Sequence, residues 1–219
     1  MTNEELVALV RLDTDDLVEP YLSSDAAIIQ WLAEAEQEAC IRSRLIYDAT
    51  TPEVCSIAVT AGTSVYPLHE SIIDIARIAF TPTGGTAVVL YLTDMVEQDR
   101  THPDWRTTVD VPRQAIHLDT SLRIGCIPST NGTLALECYR LPTSYADESW
   151  APEIGAIHHR HLAQWALYRC YSRPDPEIMN PKKSEIALSE FTRVFGLRPD
   201  AGLRRETWAN RPQFNKAVW

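Results

Sequence analysis

The sequence contains no long apolar run and no excess of positive charge. No stretch approaches the roughly 20 consecutive apolar residues that a membrane-spanning helix needs. The first residues carry Glu4 and Glu5 where a secretory signal peptide would be basic. The formal net charge is -10, and a surface of that sign repels nucleic acid phosphates. We therefore expect a protein without a membrane segment that stays in a cytosol and binds no DNA sequence specifically.

Motifs of the common enzyme classes are also missing. The sequence has no G-x-S-x-G, no Walker A pattern and no G-x-G-x-x-G. Its five cysteines are an odd number and include no C-x-x-C pair, which argues against a disulfide framework and against a cysteine zinc site. We expect these thiols to behave as small hydrophobic side chains. The sequence therefore predicts a protein that is not an enzyme and has no cofactor.

A cluster of histidines is the best candidate for a metal site. His158 and His161 are three residues apart in a predicted helix, so both side chains could face one ion. No carboxylate stands at the H-E-x-x-H offset, and no further ligand can be assigned. The alternative interpretation is a packed helix with histidines at its edges, and on this reading no residue is a metal ligand.

Apolar residues at helical spacing predict helices at both ends of the chain. After a short helix at 3–12, the acidic residues Asp13, Asp15 and Asp16 are interpreted as a solvated linker. The next helix has Ser24 as its N-cap and extends to about Tyr47. Its predicted buried face consists of Ile28, Leu32, Ala35 and Ala39.

Two further helices are predicted near the C-terminal end. The first starts after Trp150, and the second has Asn180 as N-cap and Pro181 at its first position. The predicted buried stripe of the first is Ile154, Ile157, His161, Leu162, Trp165 and Tyr168.

Between the helices, residues 54–142 alternate with a period near two and are broken by turn residues. A hairpin turn is predicted at 82–85, and a second hairpin joins 115–118 to 122–124. Short strands with frequent turn signals predict an antiparallel sandwich or barrel. The fold class is therefore α+β. We predict a helical domain of residues 1–50 and 151–196, an inserted β domain at 51–150, and an extended C-terminal arm at 197–219.

The predicted arm differs from the rest of the chain in charge and in regularity. From Arg198 to Trp219 the net charge is +3, which leaves -13 on the remainder. Isolated aromatic and arginine side chains without a local apolar face are typical of interfaces. We expect the arm to bind an acidic partner, which could be another copy of the chain. The residues predicted to make this contact are Arg204, Arg205, Trp208, Phe214 and Trp219.

Four stretches resemble the head-to-tail adaptor (connector) proteins of tailed bacteriophages, the family that includes tail tubular protein A. They are SDAAIIQWLAEAE at 24–36, VYPL at 65–68 with IIDI at 72–75, the segment from Thr93-Asp94 to Pro103-Asp104-Trp105, and HLAQWALYRCY at 161–171. The sequence departs from the family pattern where Pro67 precedes Leu68, and the segment after Gly196 matches nothing in it.

The resemblance implies a structural subunit of the phage neck. Such subunits form a ring, usually of about twelve copies, that docks on the portal protein and joins head to tail. A downstream tail or nozzle protein attaches below, and genomic DNA passes through the lumen without sequence-specific binding. The implied location is the virion, with host cytoplasm during assembly and no membrane contact.

Two other functions fit parts of the pattern. A β-sandwich module that binds a ligand or protein would present exposed aromatic residues such as Tyr91 or Trp105. A metal-dependent enzyme would use His158 and His161. A neck or tail-completion protein lower in the same particle is a related structural alternative.

Overall fold

The chain forms two compact units in a computed structural model that describes residues 1–143, 149–200 and 202. The first, called the helical unit, consists of Met1–Ile46 and Arg140–Pro199. The second, called the β unit, contains Tyr47–Tyr139. The helical unit is thus assembled from two chain segments that are separated in sequence by the β unit.

Local sequence signals define the helix ends. Helices in the described residues are α1 (Asn3–Thr14), α2 (Asp25–Ser43), α3 (Pro52–Cys55), α4 (Met95–Thr101), α5 (Ala156–Tyr171) and α6 (Pro181–Phe195). Thr2 and Glu5 form a reciprocal capping box at α1, and Ser24 caps α2 through the Ala27 N–H. Asn180 caps α6 as predicted. None of these described helices combines the length and the apolar character that crossing a membrane requires.

The helical unit is organised around α5, which packs against α1, α2 and α6. The predicted buried face of α2 is confirmed, because Ile28, Leu32, Ala35 and Ala39 are each at most 1% exposed. Glu38 and Arg42, which are four residues apart on this helix, form an ion pair at 2.8 Å. Burial of this face contributes about 25 cal/mol per Å² of apolar surface removed from water.

Two details of the predicted helices are wrong. Helix α2 ends at Ser43 because Arg44 takes the left-handed conformation (φ 52°), and the chain then enters a strand. Helix α5 begins at Ala156, later than predicted, and Ile157 is 81% exposed. Leu162 of the predicted stripe is buried, and the buried face also includes small residues, which permit close helix packing. Its members are His159, Leu162, Ala163, Ala166, Leu167, Cys170 and Tyr171.

The β unit contains short strands as predicted. They are β1 (Ile46–Asp48), β2 (Ser56–Val59), β3 (Val65–Pro67), β4 (Ile72–Pro82), β5 (Val88–Thr93), β6 (Val109–Asp110), β7 (Gln114–His117), β8 (Ser121–Ile124), β9 (Ile127–Pro128) and β10 (Gly132–Arg140). The predicted β4–β5 hairpin forms, with Ile78 opposite Leu90. The predicted β7–β8 hairpin forms as well, with His117 opposite Leu122.

Within the described residues, eight strands form one curled sheet. Its order is β1-β10-β4-β5-β7-β8-β3, and β2 pairs with β10. β2 and β3 thus pair at opposite ends of the order, yet both contribute to one core through Val59 and Tyr66. The Tyr66 hydroxyl donates to the Thr63 carbonyl oxygen at 2.7 Å, within the turn that joins these strands. The sheet therefore curls around a single apolar interior, the barrel-like form of the prediction.

The sheet is mixed, whereas the sequence predicted an antiparallel one. β5 and β7 run parallel within it, with Leu92 opposite Ala115, and β6 and β9 form a separate two-stranded parallel sheet. A parallel pair requires a crossover connection, and residues 94–113, which contain α4, provide it. The α+β class, with helices at both ends and a central β region, is confirmed.

Candidate interaction surfaces

The predicted contact residues of the arm lie outside the described residues: Arg204, Arg205, Trp208, Phe214 and Trp219. The structure does describe the point where this segment leaves the helical unit. Arg42 donates to the Gly196 carbonyl oxygen at 3.0 Å, and Ser43 donates to the Phe195 carbonyl oxygen at 2.7 Å. Arg198 lies 3.3 Å from the Glu38 carboxylate. The C-terminal segment therefore starts beside the C-terminal end of α2.

The histidine cluster is dispersed around α5. His159 is buried, and its Nε2 lies 2.8 Å from the Ile154 carbonyl oxygen. His158 and His161 both contact the Phe195 ring, at centroid distances of 5.8 and 6.5 Å. No group of three His, Cys, Asp or Glu side chains suited to a metal ion occurs in the described ranges. Ring packing against α6 thus accounts for the histidines that suggested a metal site.

All five cysteines are buried, and none of them forms a disulfide. Burial raises the pKa of Cys40 to about 12, and the neighbouring carboxylates of Glu36 and Glu153 act in the same direction. A thiol with so high a pKa holds almost no thiolate, the form that attacks substrates and binds metals. These side chains are core residues, as expected from their sequence context.

The loop between α1 and α2 is held by a buried arginine. Arg11 Nη1 donates to Asp16 at 3.1 Å, and its Nη2 donates to the Ser23 carbonyl oxygen at 3.0 Å and to Asp25. The Asp16 carboxylate in turn accepts the backbone N–H groups of Leu22 and Ser23. One ion pair therefore fixes both ends of the loop.

The interpretation of the first acidic run as a solvated linker is wrong for Asp16, which is 6% exposed. Asp13 and Asp15 are exposed as predicted. The sequence signal that could have separated them is Arg11, because a buried carboxylate requires a paired cation nearby. The position of Asp16 within the acidic run did not indicate that it, rather than Asp13 or Asp15, would be buried.

The residues between the fixed ends of this loop present apolar side chains to solvent. Val18 is 79% exposed, Leu12 64% and Leu17 54%, and Tyr21 and Leu22 are exposed to a lesser degree. The side chains of Asp13, Asp15 and Glu19 stand among them. We call residues 12–22 the α1–α2 loop surface.

A cleft of about 190 Å³ adjoins this surface in the helical unit. Thr14, Asp16 and Leu22 line it from the end of α1 and the loop that follows, and Tyr171, Ile178 and Met179 line it from the end of α5 and the stretch before α6. The cleft thus has mixed polar and apolar walls, which include the charged side chains of Asp16, Glu177 and Lys183, and it opens next to exposed leucine side chains.

The β unit carries a separate polar cluster at α4. Trp105 is 2% exposed and donates from Nε1 to Asp99 at 2.7 Å. The hydrogen bond from Arg106, and to a smaller extent the one from Trp105, holds the pKa of Asp99 below its ordinary value. Arg106 and Arg123 both stack over the indole ring, at 4.4 and 4.7 Å from its centroid. Of the two aromatic residues that the binding-module alternative would expose, Trp105 is therefore buried, whereas Tyr91 is 48% exposed.

A family comparison decides among the functional classes. A family model described as SU10 adaptor protein matches residues 1–213 of the 219-residue chain. The chain belongs to the SU10 adaptor protein family. The comparison with curated proteins gives no match. The resemblance to phage head-to-tail adaptors is thereby confirmed over nearly the whole chain.

Membership assigns this adaptor a structural role in a bacteriophage. An adaptor is a component of the virion neck and contacts other head and tail proteins of the phage. For such a protein the relevant sites are surfaces rather than catalytic clefts. The α1–α2 loop surface is the feature that sequence reasoning missed, because exposed leucine and valine near acidic residues are common in ordinary linkers.

Proposed function

We propose that the adaptor forms a ring that docks on the portal protein and joins the head to the tail. The observation that carries this proposal is the family match across residues 1–213. The ring has about twelve copies, by likeness to other head-to-tail adaptors, and closed rotational symmetry is the usual arrangement for identical subunits. A downstream tail or nozzle protein binds the opposite face of the ring.

Genomic DNA passes through the lumen of this ring without being gripped. The chain has a formal net charge of -10, and about -13 lies outside the C-terminal segment. An acidic lumen repels phosphates at short range, since the screening length at physiological salt is only about 8 Å. Charge of this sign supports passage and opposes sequence-specific binding.

The domain boundaries within the subunit and the role of each part are also proposals. Residues 1–50 and 151–196 act as one helical domain, residues 51–150 as an inserted β domain, and residues 197–219 as an arm. The arm binds the portal or a neighbouring subunit through Arg204, Arg205, Trp208, Phe214 and Trp219. The adaptor is made in the host cytoplasm, ends in the virion and needs neither a cofactor nor catalysis.

Native mass spectrometry of the full-length chain mixed with its cognate portal tests this function. We expect one dominant complex whose mass equals the portal ring plus a fixed number of adaptor copies, near twelve. A mixture that contains only free adaptor and free portal at micromolar concentrations would contradict the proposal. Portal from an unrelated phage serves as the control and should bind no adaptor.

A further inference from the structure

We infer that the α1–α2 loop surface binds the basic, aromatic C-terminal segment, residues 203–219, of a neighbouring copy. The inference rests on the proposed function in taking the neighbour to be the next subunit of the ring. Its physical basis is the apolar and acidic character of the surface, the cleft beside it and its place in the helical unit.

The α1–α2 loop surface exposes a group of large apolar side chains to solvent. Five large apolar side chains lie in eleven residues, and three of them, Leu12, Leu17 and Val18, are more than half exposed. Single exposed apolar residues are normal on a monomer, but a contiguous group marks an interaction site. The Arg11–Asp16 pair fixes the backbone that carries this group, so binding requires little ordering of the loop.

The charge of the two elements is complementary. Asp13, Asp15 and Glu19 are exposed in the loop surface, and residues 12–22 contain no Lys or Arg. Residues 203–219 carry a net charge of +3. Opposite charges of this kind steer association and disfavour wrong partners.

The cleft supplies a place for an aromatic side chain. Its volume is about 190 Å³, and Leu22, Tyr171 and Met179 are among its walls. Aromatic residues that enter a pocket beside an apolar patch dominate the affinity of many interfaces. Residues 203–219 contain three such side chains, namely Trp208, Phe214 and Trp219.

The positions of the two elements are compatible with a contact between copies. The last residues of α6, Phe195 and the following Gly196, are held beside Arg42 and Ser43, whereas the loop surface precedes Asp25. These points lie at opposite ends of α2, which has 19 residues and is therefore about 28 Å long. A head-to-tail ring needs two different surfaces on each subunit, and this separation provides them.

The binding test uses a fluorescent synthetic peptide of residues 203–219 and measures its anisotropy with the full-length chain. The receptor carries Arg204→Ser, Arg205→Ser and Trp208→Ser, so that its own segment does not compete. We expect saturable binding that weakens about tenfold or more when Asp13→Lys and Glu19→Lys are added. A peptide with Arg204→Glu and Arg205→Glu should then bind this charge-reversed receptor better than the original peptide does.

The control receptor carries Glu53→Lys and Glu70→Lys, two exposed positions of the β unit that change the net charge by the same amount. It should bind the original peptide with undiminished affinity. Absence of peptide binding, or equal loss in the control, would overturn the inference. Preferential binding of the reversed peptide to the unreversed loop would overturn it as well.

A mixing experiment separates contact between copies from contact within one chain. One full-length variant carries Asp13→Lys and Glu19→Lys, and the other carries Arg204→Glu and Arg205→Glu. Each alone should form few rings on the portal, and an equal mixture should recover them, because every contact between alternating copies is then complementary. Failure of the mixture while the wild-type chain forms rings would overturn the neighbouring-copy assignment. If the wild-type chain forms no ring, the proposed function fails, whereas the peptide result still decides whether the loop surface binds the segment.

Discussion

At the scale of single residues, the helical unit tolerates a buried guanidinium because its partners come from the adjoining loop. Arg11 contacts Asp16, Asp25 and the Ser23 carbonyl oxygen, and its guanidinium carbon lies 3.6 Å from the Tyr21 ring centroid. Removing one partner of such a pair leaves a buried charge without compensation, which costs more than the pair itself contributes. Substitution of the buried residues that hold the loop should therefore destabilise the fold more than substitution of the exposed residues that the loop carries.

The change Asp16→Asn tests this network. We expect it to lower the free energy of unfolding by about 3 kcal/mol, because Arg11 stays buried and loses its one buried counter-charge, while the remaining partner, Asp25, is largely exposed. The matched change Asp13→Asn, at an exposed position, should shift it by less than about 0.5 kcal/mol. Urea denaturation followed by circular dichroism measures both values, and equal effects would show that the buried pair does not hold the loop.

His117 makes the stability of the β unit depend on pH in the acidic range. Burial lowers its pKa from 6.5 to about 4, with Asp119 opposing the shift. Between these values the unfolded chain takes up a proton that the folded chain does not, so stability falls as the pH falls through this window. We expect a loss of about 3 kcal/mol between pH 6.5 and pH 4 from this residue.

Urea denaturation at several pH values checks this expectation. The variant His117→Gln should lose most of the slope between pH 6.5 and pH 4, whereas His102→Gln, at an exposed position, should keep it. An unchanged slope in His117→Gln would assign the acid sensitivity to other groups.

At the scale of helices and strands, periodicity predicted the elements whose buried face is made of large side chains. The α2 face was correct because Ile28 and Leu32 repeat at helical spacing among polar residues. The α5 stripe was correct for Leu162 and wrong for Ile157, and close packing also buries Ala163 and Ala166, which carry a weak hydrophobic signal. The parallel β5–β7 pair and α4 depend on contacts between distant residues, which local pattern does not encode.

The start of α5 shows how one element depends on another. Its N-cap, Gly155, has no side-chain hydrogen bond, and the preceding N–H groups of Glu153 and Ile154 donate to Glu36 of α2 at 2.5 and 3.0 Å. Glu36 is fully buried, and burial raises its pKa against the lowering effect of these N–H groups. A carboxylate on one helix thus positions the first turn of another.

The variants Glu36→Ala and Glu36→Gln separate the role of Glu36 as a hydrogen-bond acceptor from its role as a titrating group. Glu36→Ala leaves buried N–H groups without an acceptor and should cost about 1–3 kcal/mol. Glu36→Gln keeps an acceptor and should cost less. Because the pKa of Glu36 is raised in the folded chain, stability falls as the pH rises through that pKa, and Glu36→Gln should remove this fall. Denaturation at pH 5 and pH 8 measures it, and an identical pH response in wild type and Glu36→Gln would contradict the assignment.

At the scale of the whole molecule, the adaptor combines an acidic body with a basic C-terminal segment. The sequence alone predicted this asymmetry, the α+β class and the likeness to phage adaptors, since charge and element order can be read from one chain. It did not predict the α1–α2 loop surface, because exposure depends on which side chains the folded helices leave uncovered.

Removal of the C-terminal segment tests the role of that asymmetry. A chain that ends at Gly196 should still fold, because α6 and its contacts with α2 are complete, and should fail to join its partner. Circular dichroism and sedimentation velocity with the portal measure the two properties. A shortened chain that assembles with undiminished affinity would contradict the arm proposal, and one that cannot fold would show that the segment belongs to the core.

The central claim is that this chain forms the ring that joins the portal to the tail. Cryo-electron microscopy of the full-length protein mixed with its cognate portal tests it most directly. We expect a ring bound coaxially to the portal, in which the C-terminal segment of each copy contacts the portal or the next copy. A portal without added density, together with adaptor that remains a stable monomer, would contradict it.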